Sequence, residues 1–336
     1  MALVAYRLAF KGPLHLGTGR EGDLADLDAL PRSDTLAAAL ISLWRHVVPG
    51  AADSDVTRIA ADPPFAISSA LPTLRLGGKW QTLLFVPAGI FDRVANLSST
   101  QRKQIKRVRF ADLDALRALL AGSIADNAAQ YGEAMITENF QGELWSERSR
   151  MRLQVDRLGD RPMEGLLYEF GGAHLGPRVR LTVVVDFIDE SCRRDLEAAL
   201  ALLGDEGIGG GRSVGYGGFG IEQVEEGFSA ELGSGARLSL SLLHPSREEI
   251  ESGLLDSPAE YLIVSRGGWA TPAGTAGLRR KAVNMIAEGS IIRDLGRAHY
   301  GASPMVLEAG GGAGLAHPVF WPGRAVTIPI KPPGAP

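Results

Sequence analysis

Residues 178–224 read RVRLTVVVDFIDESCRRDLEAALALLGDEGIGGGRSVGYGGFGIEQV. In the first part, apolar residues alternate with polar ones, which is the period of a strand; the apolar set is Val179, Leu181, Val183, Val185 and Phe187. Between Glu190 and Leu203 the apolar spacing becomes that of a helix. Eight of the fourteen residues from Gly207 to Gly220 are glycine, and strand-like sequence follows to about Val224. The stretch therefore predicts a strand, a helix, a glycine-rich loop and a strand.

The N-terminal segment predicts a matching set of elements. Alternation from Val4 to Phe10 indicates a first strand, and Ser33-Asp34 offers an N-cap for a helix that ends before Pro49. A short apolar run, Leu83–Val86, predicts a second strand. The resulting order is βαββαβ, the order of the ferredoxin-like unit, in which an antiparallel sheet carries both helices on one face. The other face of the sheet is then free to bind a ligand.

A long insertion and a second, degenerate copy of the unit complete the predicted organisation. The interval from about 88 to 177 is too long for a plain connection; it carries a basic run, Gln101–Arg109, and the arginines Arg148, Arg150 and Arg152. Strand patterns recur in the second half at Leu238–Leu242, Tyr261–Val264 and Val326–Ile330. We expect an α+β protein with two ferredoxin-like (RRM-like) domains in tandem, at 1–224 and 225–330, and a disordered tail at 331–336.

Composition excludes several classes of protein. The chain has 336 residues, 45% of them hydrophobic, and a formal net charge of −4, so its overall charge does not favour nucleic acid. The single cysteine, Cys192, excludes an internal disulfide, and no Cys/His cluster has the spacing of a zinc site. We expect no metal or small-molecule cofactor. The sequence has no signal-peptide pattern and no apolar run of membrane-spanning length, which predicts a cytoplasmic protein without a membrane partner.

The glycine-rich loop is suited to holding a phosphate chain, because a ligand can approach main-chain N–H groups that no side chain covers. Arg212 would add a guanidinium. Gly211-Arg212-Ser213-Val214-Gly215 matches G-x-S-x-G, but here a helix precedes the serine and a strand follows it, the reverse of a hydrolase elbow. Neither a Walker A loop nor the dinucleotide-binding spacing fits the glycines. The alternative is a glycine-rich hairpin that only turns the chain.

Several separated motifs resemble one known family in order along the chain. They are Pro13-Leu14-His15-Leu16-Gly17, Ser33-Asp34-Thr35-Leu36, Val155-Asp156-Arg157, the glycine-rich loop, Arg266-Gly267-Gly268-Trp269, Arg280-Lys281 with Glu288-Gly289-Ser290, and His317-Pro318-Val319. The set resembles the RAMP proteins of CRISPR systems, and among them the fourth subunits of the type III-A Csm effector complex.

This resemblance implies a non-catalytic, RNA-binding subunit of a ribonucleoprotein used in antiviral defence. Such a subunit holds the 5′ repeat-derived tag of the CRISPR RNA and bridges a large polymerase-like (cyclase-like) subunit to a backbone RAMP subunit. The expected RNA contacts are His15, Arg20, Arg32, Ser33, Arg148, Arg150, Arg152, Gly209, Gly210, Gly211, Arg212, Ser213, Tyr216, Arg280 and Lys281. Cations would meet phosphates, and Tyr216 or Phe219 would provide a stacking surface for a base.

Two other functions remain open from the sequence. Some RAMP relatives are metal-independent endoribonucleases with a histidine as general acid or base, and His15 would be that residue here. The other possibility is a scaffold that contacts only proteins, in which the glycine-rich loop shapes a turn. The salt dependence of RNA binding separates a scaffold from an RNA-binding subunit.

Overall fold

The computed structural model of the chain describes residues 3–17, 27–94, 99–156, 159, 161–270, 277–310, 315 and 317–333. Its central sheet is antiparallel. The order of its strands is Phe219–Phe228, Leu3–Phe10, Val179–Phe187, Leu71–Leu76 and Lys79–Thr82, and Phe65–Ile67 also pairs with Val179–Phe187. The predicted α+β class with antiparallel sheets is thereby confirmed.

Two long helices, Ser33–Val47 and Arg193–Glu206, pack against each other and cover one face of this sheet. Their apolar stripes are buried, including Leu36 and Leu40 of the first and Leu196 and Leu200 of the second. The Tyr6 hydroxyl, from the first strand, donates a 2.8 Å hydrogen bond to Glu197 of the second helix. A shorter helix, Asp53–Ala61, follows the first. None of the helices in the described part of the chain is long and apolar enough to cross a membrane.

The opposite face of the sheet is occupied by the protein's own side chains. Arg7 and Arg180 both contact Glu222, at 3.5 and 2.8 Å, and both guanidinium groups lie about 5 Å from the ring centre of Trp80 (5.1 and 5.0 Å). The sheet face that the sequence predicts to be free is therefore partly occupied, because Glu222 pairs with both arginines and Trp80 packs on their guanidinium groups.

The second strand of the sheet lies earlier than the sequence predicts. Leu71–Leu76 pairs with Val179–Phe187, whereas Leu84–Phe85 belongs to a separate four-stranded sheet with Phe110–Ala111, Ala134–Ile136 and Ala129–Tyr131. Pro72 obscures the pattern, because proline lacks the backbone donor that a central strand uses.

The insertion lies between Thr82 and Val179. It contains the four-stranded sheet, the 3₁₀ turn Ile90–Arg93, the helices Ser99–Ile105 and Leu113–Leu120, and a long two-stranded hairpin, Trp145–Asp156 with Arg161–Leu175. Asp112 caps the second of these helices by accepting the N–H of Ala115 at 2.8 Å. Leu14 ties the base of the hairpin to the segment after the first strand through paired backbone bonds with Ala173, both 2.8 Å.

The second half has small sheets and little helix. Its main sheet has the order Ile291–Arg293, Ala236–Ser239 and Thr327–Ile330. It also has three two-stranded sheets: Ile263–Arg266 with Val283–Ile286, Trp269–Ala270 with Leu278–Arg279, and Met305–Leu307 with Val319–Phe320. One further pair, Leu16–Gly17 with Leu27–Asp28, lies in the first half. Within 225–270, 277–310 and 317–333 the helix Arg247–Glu251 has only five residues, so a second complete βαββαβ unit is not present there.

The two halves share one core. A single cluster of buried apolar side chains contains Tyr6, Leu36 and Leu200 from the first half and Leu238, Leu240 and Val326 from the second. Ser69 N–H donates to the Leu240 carbonyl and Leu242 N–H donates to the Ser33 hydroxyl, both at 2.9 Å. Of the tail predicted to be disordered, Lys331 donates its N–H to Leu232 at 2.7 Å; residues 334–336 lie outside the described part.

Candidate nucleic-acid interface

The glycine-rich loop is fixed along the segment that follows the first strand. Gly217 N–H donates to the Pro13 carbonyl, Gly210 N–H to the His15 carbonyl, and Lys11 N–H to the Gly218 carbonyl, each at 2.8 Å. The loop therefore has a defined position beside residues 11–15.

Two glycines show why larger residues are excluded from this contact. A Cβ at Gly210 would lie 2.5 Å from Cδ2 of His15, and a Cβ at Gly217, where φ is +72°, would lie 2.0 Å from the Ile208 carbonyl oxygen. Both distances are well inside van der Waals contact. These two glycines therefore allow close packing of the backbone. This is the role that all of the glycines would have if the loop only turned the chain.

The middle of the loop is open and carries main-chain donors. Residues 212–215 are exposed, and Arg212–Val214 form one 3₁₀ turn. The N–H groups of Gly211, Arg212 and Ser213 have no hydrogen-bond partner among the described residues. The Arg212 side chain is 54% exposed, and its Nη1 lies 3.6 Å from Glu206, a loose ion pair that a stronger anion could displace. Three successive N–H groups without a partner among the described residues, beside a guanidinium, are the kind of donors that an anion can use.

The long hairpin presents a basic face next to this loop. In the register of its two strands, Arg148 is opposite Gly172, Arg150 opposite Phe170 and Arg152 opposite Tyr168, so the three arginines share one face. The guanidinium of Arg152 lies 4.1 Å from the ring centre of Phe170 and 5.5 Å from that of Tyr216. Arg148 and Arg150 are exposed and form no ion pair with any described residue. The structure thus places Arg152 beside Tyr216 of the loop, and the expected RNA contacts of the three arginines stay a prediction.

His15 is a packed residue. Its side chain is 7% exposed, its ring stacks on Phe170 with centres 4.0 Å apart, and its Nδ1 lies 2.9 Å from the Gly171 carbonyl oxygen. Because a carbonyl only accepts, Nδ1 carries the proton in this bond. The ring is enclosed by Phe170 and Gly210, an arrangement that favours packing over proton transfer to an RNA hydroxyl.

Three predicted contacts are buried and do not face a ligand. Tyr216 is 7% exposed and packs edge-on against Phe170 at 5.4 Å, and Phe219 is 1% exposed, so neither provides the expected stacking surface. Ser33 is 3% exposed, and its hydroxyl accepts the N–H of Leu242. Phe219 belongs to the shared core, Tyr216 packs on the hairpin and Ser33 bonds to the second half, and the local sequence reveals none of these contacts.

Other predicted residues meet around one cavity of about 160 Å³, lined by His15, Arg32, Gly209 and Gly210. Arg32 Nε donates a 2.9 Å hydrogen bond to Asp28, and its Nη1 lies 3.7 Å from Glu288. Burial opposes the charge of Arg32, but the carboxylates of Glu288 and Asp28 outweigh it and raise its pKa. Arg20 lies outside the described residues.

Arg280 and Lys281 differ in accessibility. The guanidinium of Arg280 lies 4.2 Å from the ring centre of Trp321, its Nε is buried without a partner among the described residues, and burial lowers its pKa. Lys281 is exposed. Lys281 is therefore the more accessible of the two to a phosphate.

Arg266 belongs to the site although only its motif was recognised in the sequence. It lines the cavity with His15 and Arg32, and its Nε and Nη2 donate to the Asp34 carboxylate at 2.8 and 3.3 Å. The buried Asp34 also accepts the indole N–H of Trp321 at 3.1 Å. Asp34 therefore joins the first helix to the second half. The sequence had suggested a side-chain N-cap at Ser33-Asp34, but no side chain caps this helix.

No group of three or more His, Cys, Asp or Glu residues within the described ranges has the arrangement of a metal site. Cys192 is a buried free thiol, and burial, reinforced by Asp189, raises its pKa to about 12.

Comparison with known proteins gives consistent results for the second half and for the fold. Residues 233–330 match the CRISPR Csm4 C-terminal domain family. A protein of Methanocaldococcus jannaschii named "CRISPR system Cms protein Csm4" is 26% identical over 169 residues, which are 45% of this chain and 43% of that protein. The chain thus aligns with less than half the length of this relative.

Solved structures extend the similarity over the whole chain. A chain of the crystal structure of a Csm3-Csm4 subcomplex in the type III-A CRISPR-Cas interference complex superposes with a TM-score of 0.61 at 16% identity, covering 99% of this chain and 100% of that one. A chain of a Csm1-Csm4 cassette in complex with pppApA gives 0.57 at 16% identity, with 100% of both chains covered.

The fold is similar to that of chains in type III CRISPR effector assemblies, and residues 233–330 match a domain family of these systems. Within that class the similarity is to Csm4, and the resemblance predicted from the sequence motifs is confirmed.

Proposed function

We propose that this chain is a non-catalytic, RNA-binding subunit of a type III-A CRISPR effector complex and that it holds the 5′ tag of the CRISPR RNA. The observation that carries the proposal is the row of N–H groups from Gly211 to Ser213, which have no partner in the described part of the chain and lie beside exposed Arg212. The basic hairpin face with Arg148 and Arg150 adjoins it and would contact further phosphates.

The proposed partners are the large polymerase-like subunit and a backbone RAMP subunit, which this chain would bridge in the cytoplasm. Support comes from similar chains in structures titled as Csm1-Csm4 and Csm3-Csm4 assemblies. In this proposal the first half is a ferredoxin-like RAMP domain, since its elements follow the βαββαβ order with two additional strands, Phe65–Ile67 and Lys79–Thr82. The second half is a reduced relative of that unit.

The absence of catalysis is part of the proposal. A general acid or base must come within hydrogen-bond reach of the proton that it transfers. The His15 ring lies under Phe170 and Gly210, and its Nδ1 is engaged by a carbonyl. This geometry disfavours the endoribonuclease alternative, and isolated protein should leave repeat RNA intact.

The test is RNA binding by Arg212→Ala. Fluorescence anisotropy with a labelled tag RNA, repeated over a range of salt, should give about tenfold weaker affinity, because a charge-assisted hydrogen bond is lost. The slope of log affinity against log salt should become shallower by about 0.7 for the phosphate contact that is lost. Lys79→Ala, an exposed cation on the central sheet, is the control and should change neither quantity. Equal affinities for the wild type and Arg212→Ala would contradict the proposal and favour the scaffold.

A further inference from the structure

The basic run of the insertion forms a groove that the proposed RNA contacts do not include. Lys103, Lys106, Arg107 and Arg109 line an open cavity of about 1060 Å³ together with Gln104 and Gln130. We call these residues the basic groove. Its cations lie around the end of the helix Ser99–Ile105 and in the following turn.

The positive charge of the basic groove is largely uncompensated by carboxylates of the described residues. Arg109 contacts Glu133 at 3.1 Å, whereas Lys103, Lys106 and Arg107 form no ion pair with any described residue. The three unpaired side chains are exposed. Four cations thus face one carboxylate, in a protein whose overall net charge is −4. Such a concentration of charge attracts an anionic ligand.

The backbone that carries these cations is well anchored. Ile105, Val108 and Phe110 alternate with them and are buried, with 6%, 5% and 0% of their surface exposed. Val108 N–H donates to the Ile105 carbonyl at 2.9 Å, and Phe110 belongs to the four-stranded sheet. The groove is therefore held in place before any ligand arrives, which reduces the entropy lost on binding.

Shared lining residues connect the basic groove to the glycine-rich loop. Lys106 and Arg109 also line a second cavity, of about 400 Å³, which reaches Arg32. Arg32 in turn lines the small cavity with His15, Gly209 and Gly210. The three cavities thus form a series from the loop to the groove, and a cation lies at each junction.

We propose that the basic groove binds the phosphate backbone of the single-stranded RNA that leaves the glycine-rich loop. This inference rests on the proposed function and extends it to a second contact region on the insertion. Uncompensated lysine and arginine, together with the amides of Gln104 and Gln130, suit a backbone of repeated phosphates and sugar hydroxyls. Continuity with the loop favours RNA over an acidic protein as the occupant.

The test compares two RNA lengths on the full chain, about 4 and about 16 nucleotides. The triple variant Lys103→Ala/Lys106→Ala/Arg107→Ala should weaken binding of the longer RNA, and the slope of log affinity against log salt should fall by about 2, or about 0.7 for each of three phosphates. Binding of the shorter RNA should not change. The matched control is Arg58→Ala/Lys79→Ala/Arg194→Ala, three exposed cations elsewhere without ion pairs among the described residues.

The possible results separate the two proposals. Equal effects of the two triple variants would overturn the basic groove as an RNA site, and the proposed function would stand if Arg212→Ala still weakens the shorter RNA. If the first triple variant retains RNA binding but loses capture of the large partner subunit, the groove binds protein and the inference is wrong. A wild-type chain that binds neither RNA would overturn both proposals.

Discussion

At the scale of single residues, the hairpin arginines set the electrostatics of their neighbours. Arg148 and Arg150 face no carboxylate among the described residues, and His174 lies on the same face of the hairpin, opposite Ser146. Burial lowers the pKa of His174, and the positive charges of Arg148 and Arg150 lower it further. Because the folded-state pKa lies below the unfolded value, protonation favours unfolding. The folded state is therefore favoured by neutral His174 above the unfolded-state pKa of about 6.5. This contribution to the free energy of unfolding is lost as pH falls through the lower folded-state pKa.

RNA binding should reduce the part of this pKa shift that comes from the arginine charges. Phosphates beside Arg148 and Arg150 would neutralise the charges that lower the pKa of His174, so we expect its pKa to rise towards about 6.5 when tag RNA is bound. NMR titration of the histidine ring signals, with and without RNA, measures this directly. His46, at the end of the first long helix, provides an internal control. An unchanged His174 titration at saturating RNA would show that phosphate does not reach the hairpin face.

The same scale shows what a sequence can reveal about a site. The exposure of Arg212 and the free donors beside it follow from a glycine-rich loop, because such a loop has few side chains to cover them. The burial of His15 and Tyr216 could not be predicted, since both pack against Phe170 of the distant hairpin. Residue chemistry alone therefore identifies candidate groups but not which of them remain accessible.

At the scale of elements, Asp34 holds the first helix against the second half. Its side chain is 3% exposed and receives two hydrogen bonds from Arg266 and one from Trp321. Removing the directly bonded cation of a buried carboxylate is far more costly than losing a surface ion pair.

Arg266→Ala should therefore lower the free energy of unfolding by about 3–5 kcal/mol. Arg266→Lys keeps the charge but loses the forked geometry, and its loss should be smaller. Urea denaturation followed by tryptophan fluorescence measures both. The control is Arg45→Ala, whose ion pair with Asp53 is more than half exposed on both sides (59% and 61%) and should contribute at most about 1 kcal/mol. If Arg266→Ala lowers the free energy of unfolding by no more than Arg45→Ala does, the ion pair between Asp34 and Arg266 does not stabilise the fold.

Strands with regular alternation were predictable, and those without it were not. Leu3–Phe10 and Val179–Phe187 carry an alternating set of large apolar residues, Val4, Tyr6 and Leu8 in the first and Val179, Leu181 and Val183 in the second, and both lie where this pattern predicts them. Leu71–Leu76 contains a proline and was missed, while Leu84–Phe85 is a strand of another sheet. An apolar run indicates burial, but the choice of pairing partner depends on contacts distant in sequence.

At the scale of the whole molecule, the two halves are expected to unfold together because they share a core. Leu240 is fully buried in the cluster that also contains Tyr6 and Leu36, and its backbone bonds to both Ser69 and Val326. The two-domain prediction rests on the order of elements along the chain. Sequence periodicity identifies which residues of a strand are buried, but it does not show which other strands they pack against.

Leu240→Ala should destabilise both halves, by about 2–5 kcal/mol, because it leaves a cavity in the common core. Hydrogen exchange should show the same loss of protection in Leu3–Phe10 of the first half and in Thr327–Ile330 of the second. Ile250→Ala, at a position 51% exposed, should cost no more than about 0.5 kcal/mol. Two separate unfolding transitions, with only the second half affected, would contradict a shared core.

The long hairpin has a different relation to folding from the rest of the chain. Ala173 and Leu144 attach its base to the core, whereas Met151, Leu153 and Leu167 further along are 49–61% exposed. Insertions or deletions in the outer part would therefore leave the folding free energy nearly untouched. The length of the hairpin can therefore vary in evolution without a cost in folding stability. Chimaeras that carry the outer part of the hairpin from a homologue should fold.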